Sequence, residues 1–455
     1  MIDKFIEIET KYNVEDIEYR GEKVWTFLRA NYYRELEKCI TKDYAQFKKN
    51  NILVKSLILL RESFYGFRNW FRSYDYIFFS DTDGRSKINN KFFDINFEKI
   101  IEKIGYDKSL YIELPNPKHY PIKDIFTKYI VSIIGLKFII YICSKIHFYT
   151  FFNKSNISIL DDINQNENIN LNYLRYINSM IISISIYKFL FRIYKPKVIF
   201  LDCYYGKESI IKSAKDLGIK VVEVQHGAIG KSHFAYNVNS YLDNSYIPDI
   251  LLTFGKYDKK LIESNIYNPF KEIKSIGRYS LEKLKDEPIP TKLLKIKDNY
   301  NTLISISTQY PVEKELAKFI KIVSKDNNKV GFLLSLRHYD KSFYDNFKMP
   351  NNVYLFKGEY SCYNILKVSD IHLSCYSTCA LEATFFEKKV ILLDINGLAS
   401  QYMYEYQSNN LHIISNQDEF QQILSKDYEK EKLNIYDTNY EQNIEDVLKY
   451  LNINL

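Results

Sequence analysis

The sequence is poor in the features that would send a chain out of the cell, through a membrane or onto nucleic acid. Its six cysteines, Cys39, Cys143, Cys203, Cys362, Cys375 and Cys379, form no CxxC pair, which leaves no zinc knuckle and makes reduced, structural thiols the expectation. The opening MIDKFIEIETKYNVED is acidic and polar. Without a basic stretch followed by an apolar one it supports no secretory signal, and the cytoplasm is the expected location. The longest apolar run, 129–143, spans about fifteen residues and includes Lys137, short of the roughly 20 that a membrane-crossing helix needs. Dense basic blocks are missing too. The formal net charge is only +7, which suits phosphorylated substrates or an anionic membrane surface and argues against nucleic acid. Tryptophan is scarce, so the aromatic content rests on 41 Tyr and 30 Phe. Ile, Asn and Lys are also abundant, as A/T-rich codons would produce, and single tyrosines are given little weight.

What is present is enough chain, 455 residues with 46% hydrophobic, to fill two α/β domains rather than one core. Residues 1–70 show helical periodicity, with Val24, Trp25, Phe27 and Leu28 on an apolar stripe, and predict a helical N-terminal arm. The run 76–79 reads as a first strand, stopping at the turn formers Ser80-Asp81-Thr82-Asp83-Gly84. The segment 129–152 combines the apolar run with nearby lysines and trailing aromatics. It reads either as an amphipathic element resting on the inner membrane face or as a buried core helix. A helix over 173–194, a strand at 198–201, a helix at 209–217 stopped by Gly218 and a strand at 220–224 make a β-α-β unit with parallel pairing. A strand at 250–254 follows. The segment 286–300, with Pro288 and Pro290, is expected to link to a second cycle. That cycle has strands at 302–306, 331–336, 353–356, 371–374 and 390–394, and helices at 312–323, 363–368 and 378–386. The expected domains are thus 71–285 and 301–455, the last helices packing back on the first domain.

Two constellations carry the chemistry. In the first, a strand gives way to a helix at Ser377-Thr378, with Glu382 four residues beyond Thr378. Hydroxyls beside the free N–H groups of a helix start suit a nucleotide phosphate without a metal, and Glu382 on the same face suits the ribose hydroxyls. An ordinary N-cap accounts for the same residues. In the second, the strand ending at Val224 runs into Gln225-His226-Gly227, followed by Gly230 and His233. A strand's carboxyl end faces the crevice of an open α/β sheet. His226 is therefore a candidate to take a proton from a hydroxyl or to stabilise a leaving phosphate, with Gln225, Gly227 and His233 beside it. Asp81, with Asp83 two residues on, competes with His226 as base, although two acidic turn residues would read the same way.

The Gln225-His226-Gly227 turn, Ser377-Thr378 with Leu381-Glu382-Ala383, and Val24-Trp25-Thr26-Phe27-Leu28-Arg29 resemble bacterial capsule and surface-carbohydrate biosynthesis proteins. The resemblance rests on short motifs and touches both domains. It implies a GT-B fold: two Rossmann-like domains facing a cleft, the acceptor held by the first and the nucleotide by the second. Teichoic-acid-type polyol phosphate transferases look similar, but Cys375 stands where they usually carry Asp, and Tyr339 follows Leu336-Arg337-His338 where they commonly carry Pro. Those departures favour sugar transfer. Arg337 and His338, after the strand 331–336, are expected to hold the phosphate, and Gly358, after 353–356, lies where such domains grip the base. The resulting expectation is a metal-independent glycosyltransferase without a cofactor. It would move a sugar from a CMP- or UDP-activated donor to a lipid-linked or polysaccharide acceptor at the inner membrane surface. A CDP-polyol phosphotransferase, a sugar-nucleotide 2-epimerase and a nucleotide-sugar-binding scaffold are the alternatives.

Overall fold

The computed structural model describes residues 2–41, 60–88, 91–116, 118–151, 157–309, 312–336, 341–426 and 435–453. Two parallel sheets organise it, each with helices around it: the GT-B arrangement of two Rossmann-like domains. The first sheet runs, edge to edge, Glu272–Ser275, Ile250–Thr253, Lys220–Val224, Val198–Leu201, Tyr76–Asp81, Ser109–Leu114 and Ile130–Ser132. The second runs Val353–Phe356, Val330–Ser335, Thr302–Ser307, Ile371–Ser374, Lys389–Leu393 and Leu411–Ile414. Strands of parallel sheets are covered on both faces and read as unbroken apolar runs; Val198–Leu201 and Lys389–Leu393 are buried throughout.

Each sheet has one place where the chain stops adding strands on one side and starts on the other. In the first it lies between Tyr76–Asp81 and Val198–Leu201, in the second between Thr302–Ser307 and Ile371–Ser374. Ligand crevices open outside the carboxyl ends of strands at such a switch. The residues leaving those ends are Asp81 and Asp202 in one domain, and Thr308 and Cys375 to Ser377 in the other.

The N-terminal helices Ile2–Lys11 and Val24–Thr41 pack against the helix Tyr173–Tyr194 in a shared core. Their motif residues have a structural task. Trp25 Nε1 donates to Glu9 Oε1 at 2.8 Å, Arg29 Nε donates to the same oxygen at 2.6 Å, and Arg29 also donates to the Phe234 carbonyl. This fastens the arm to the loop that follows His226.

The segment 286–300, read from sequence as a linker, instead carries the helix Thr291–Lys297, whose Leu293 is buried beside Leu303 and Leu333 of the second sheet. The last helix, Tyr440–Tyr450, packs on the first sheet through Tyr440, Ile444, Val447 and Leu448. Between these, Phe254, Leu281, Tyr363, Leu381, Met403 and Tyr406 share one apolar cluster spanning both domains. Among the described residues no helix is long and apolar enough to cross a membrane.

Candidate functional site

The strand Lys220–Val224 delivers Gln225 and His226 to the crevice edge, but the two side chains part company. Gln225 is fully buried. Its Nε2 donates to Asp258 Oδ2 at 2.7 Å and to the Gly227 carbonyl at 2.8 Å, while Oε1 accepts from the Phe254 amide at 2.6 Å. It is a strut between neighbouring segments rather than the cleft contact expected, because a buried amide has to spend its donors and acceptor inside. Asp258 is fixed in turn by Tyr406 Oη from the second domain at 2.9 Å, and burial pushes its carboxyl up to about 7.

His226 is half-buried. Nε2 lies 3.2 Å from Tyr205 Oη, and Nδ1 is buried without a hydrogen-bond partner among the described residues. Burial holds the imidazole below its ordinary value; Asp202 opposes this, and the cations Lys207 and Arg278 reinforce it. A neutral ring at neutral pH is the state that accepts a proton. Gly227 has ordinary backbone geometry and open space where a side chain would stand, so ligand access rather than backbone freedom is what a glycine provides there. His233 stacks on Phe234, its Nδ1 accepts from the Ala235 amide at 3.3 Å, and burial drives it down to about 3. It is a structural, neutral histidine, not a titrating member of the site.

Asp81 caps the turn Thr82–Gly84 by accepting from the Gly84 amide at 3.1 Å. Burial and then Asp202 raise its carboxyl above the usual range, against the pull of Lys207. Asp83 is exposed and bonded to Asn116 Nδ2 at 2.8 Å, a loop contact. Asp202 and Lys207 escaped the sequence reading. Lys207 Nζ donates to Asp202 Oδ1 at 2.5 Å and to the Cys203 carbonyl at 3.2 Å. The available signal was a carboxylate immediately after the strand Val198–Leu201. Asp81, Asp202, Lys207 and His226 thus share one electrostatic neighbourhood at the switch point of the first sheet.

In the second domain, Ser377 caps the helix Thr378–Phe385 by accepting from the Cys379 amide at 3.3 Å, and Thr378 is half-buried at its first turn. The Tyr376 amide donates to Gln309 Oε1 at 3.3 Å across the crevice. Gly358 sits in an exposed turn at φ 97°, a conformation that side chains disfavour. Arg337 and His338 lie outside the described residues.

Glu382 departs from expectation. It is buried, and its Oε1 accepts from Arg278, which follows the first sheet's edge strand, and from Tyr363 Oη at 3.4 Å. A buried guanidinium must be paired, so the carboxylate expected to bind ribose instead ties the two domains together. Cys362 Sγ and Cys379 Sγ lie within 4.8 Å of that carboxylate. Their mutual hydrogen bond and burial keep Cys379 protonated, and Arg278 already neutralises Glu382, so this trio is poorly suited to a cation.

No protein-family model and no curated protein matches the sequence. Solved structures share the fold. A putative UDP-N-acetylglucosamine 2-epimerase from Listeria monocytogenes superposes with a TM-score of 0.52 at 11% identity, covering 83% of this chain and 96% of that one. An S. aureus MnaA structure with UDP gives 0.52 at 12%, covering 84% and 98%. A UDP-GlcNAc 2-epimerase from Neisseria meningitidis bound to UDP-GlcNAc gives 0.50 at 16%, covering 82% and 99%. At such identities the likeness establishes the fold.

Proposed function

We propose that the protein is an enzyme acting on a nucleotide-activated sugar held in the cleft between its two domains. The carrying observation is the Arg278–Glu382 tie: it joins the edge of the sheet that bears His226 to the helix begun by Ser377 and Thr378, and the charge of Arg278 reaches His226. The diphosphate would sit at the start of that helix, where free N–H groups and hydroxyls favour an anion without a metal. Arg337, His338 and Gly358 complete the proposed donor set from their places after the strands of the second sheet. The sugar would then face His226 and Asp81, with Asp202 and Lys207 setting the charge balance of both.

Two chemistries suit such a cleft. Epimerisation at C2 of a UDP-amino sugar is supported by the solved structures of the same fold, whose names describe that activity. It requires a base at carbon, for which Asp81 and His226 are the candidates. Sugar transfer to a phosphorylated lipid or polysaccharide is favoured by a separate observation: a cationic cavity opening between two helices reaches Lys207, the partner of Asp202. Incubation with UDP-GlcNAc alone, followed by NMR, separates them. Conversion to UDP-ManNAc without an added acceptor identifies the epimerase; sugar loss from the nucleotide only when a lipid phosphate is added identifies the transferase.

A further inference from the structure

The helices Ile134–Phe151 and Tyr173–Tyr194 contain no acidic residue, and they carry five cations: Lys137, Lys145, Arg175, Lys188 and Arg192. A cavity of about 510 Å³ opens between them. Among the described residues its walls hold four cations, Lys137, Lys145, Arg175 and Lys207, and no carboxylate, together with serine hydroxyls such as that of Ser209. Lys137 is exposed at the opening and has no ion-pair partner among the described residues. Lys207 is already paired with Asp202, but Lys145 and Arg175 stand exposed around the opening with Lys137, again with no ion-pair partner among the described residues, and a cluster of one sign of charge attracts an anion. The cavity ends at Gly206 and Lys207, in the loop that also carries Asp202.

The outer face of the same helices is apolar. Phe138, Ile139, Ile142 and Ile146 are exposed along one helix, and Phe189 and Ile193, each more than 60% exposed, along the other. The segment 60–71 continues this face with Phe64, Phe67 and Phe71. It abuts the first helix where Gly135 meets Ser63 and the second where Trp70 meets Tyr194. Of the 20 large hydrophobic residues exposed among the described residues, 14 fall between Leu60 and Ile193. A cationic cavity opening beside an apolar, cation-bordered face matches one ligand class, an amphiphile whose phosphate enters the protein while its hydrocarbon stays outside.

We propose that this cavity seats the phosphate of a long-chain lipid phosphate, and that the apolar face of its two helices rests on an anionic bilayer holding that lipid. The ligand reaches the Asp202–Lys207 end of the cleft from the membrane side. This goes beyond the nucleotide-sugar reading and depends on its transferase form only for what the lipid does once bound.

The test is vesicle flotation of the full chain with three membranes: phosphatidylcholine alone, phosphatidylcholine with phosphatidylglycerol, and phosphatidylcholine doped with undecaprenyl phosphate to equal charge. The expected order is weakest on neutral vesicles and tightest on the polyprenyl phosphate. Lys137→Gln should cost about fivefold on the last, as expected for loss of one interfacial cation, and should erase its advantage over phosphatidylglycerol. Phe138→Ser with Ile142→Ser, at exposed positions, should weaken binding to both anionic membranes. Hydrogen exchange on the wild-type protein should show vesicle-induced protection in both helices. Equal binding to the two anionic membranes, or a Lys137→Gln variant that keeps the preference, overturns the phosphate seat. Binding of inorganic phosphate with no vesicle binding overturns the lipid assignment. Nucleotide stabilisation measured on the same preparations keeps failure here distinct from failure of the cleft reading.

Discussion

Arg278 and Glu382, 104 residues apart, share a buried hydrogen bond that crosses from the first domain to the second. Removing either partner leaves the other charge stranded in a dry interface. Arg278→Met should therefore cost about 3–5 kcal/mol of unfolding free energy, with the double variant Arg278→Met/Glu382→Leu recovering much of it. Denaturant titration of the three variants measures this. A single variant as stable as the wild type would show that the pair does not hold the domains.

His226 is neutral and has its Nδ1 buried without a hydrogen-bond partner among the described residues. As a proton acceptor it should lose about a hundred- to ten-thousandfold in kcat when changed to Ala. The kcat/KM profile should rise with pH through a pKa lower than that of free histidine, since burial depresses it. Tyr205→Phe, which removes the hydroxyl 3.2 Å from Nε2, should move that limb while leaving the maximum less affected. An unchanged profile in His226→Ala would pass the role of base to Asp81.

Burial displaces several carboxyls upward, among them Asp94, Glu208 and Asp258 to about 7, and Glu223 to about 8. Glu223 is fully buried, with Tyr236 Oη at 2.5 Å and the Tyr204 amide at 3.2 Å on one oxygen. Between the ordinary carboxylate value and about 8, the native state keeps a proton that the unfolded chain has released. Stability is then fully present below the unfolded value and is lost as pH rises through the folded one. The thermal midpoint should fall towards pH 8, and Glu223→Gln should flatten the last part of that decline. A wild-type midpoint that climbs over this window would contradict the assignment.

Much of the architecture was legible because its inner strands carry plain signals. The segments 198–201, 220–224, 353–356 and 371–374 were predicted to the residue; several are apolar runs bounded by Pro196, Gly218 and polar loops. Three strands of the first sheet were missed, none of them an isolated apolar run. Ser109–Leu114 contains Glu113, buried against Arg85 and His119. Glu272–Ser275 is a polar edge strand, and Ile130–Ser132 hides inside the apolar stretch before a helix. At the site, strand ends pointed to His226 and Asp81, but local spacing cannot reveal a partner 104 residues away. Glu382 was accordingly assigned to a ribose and Gln225 to the cleft, when long-range pairing absorbs both.

Gly277 sits at φ 88°, and a Cβ there would collide with the carbonyl of Asp437, in the segment that leads into the last helix. Gly277→Ala should destabilise the protein by more than about 1 kcal/mol and should expose the segment 435–453 to limited proteolysis before the rest of the chain. Intact protection of that segment would mean that the strap can shift without cost.

The central claim is that the cleft takes a nucleotide-sugar on the helix begun by Ser377 and Thr378. Thermal-shift titrations with UDP, UDP-GlcNAc and CMP, on the wild type and on Ser377→Ala and Thr378→Val, test it most directly. Stabilisation of the wild type by one nucleotide family, reduced in both variants, is the predicted result. No stabilisation by any of the three, or a shift unchanged in both variants, would contradict the proposed site.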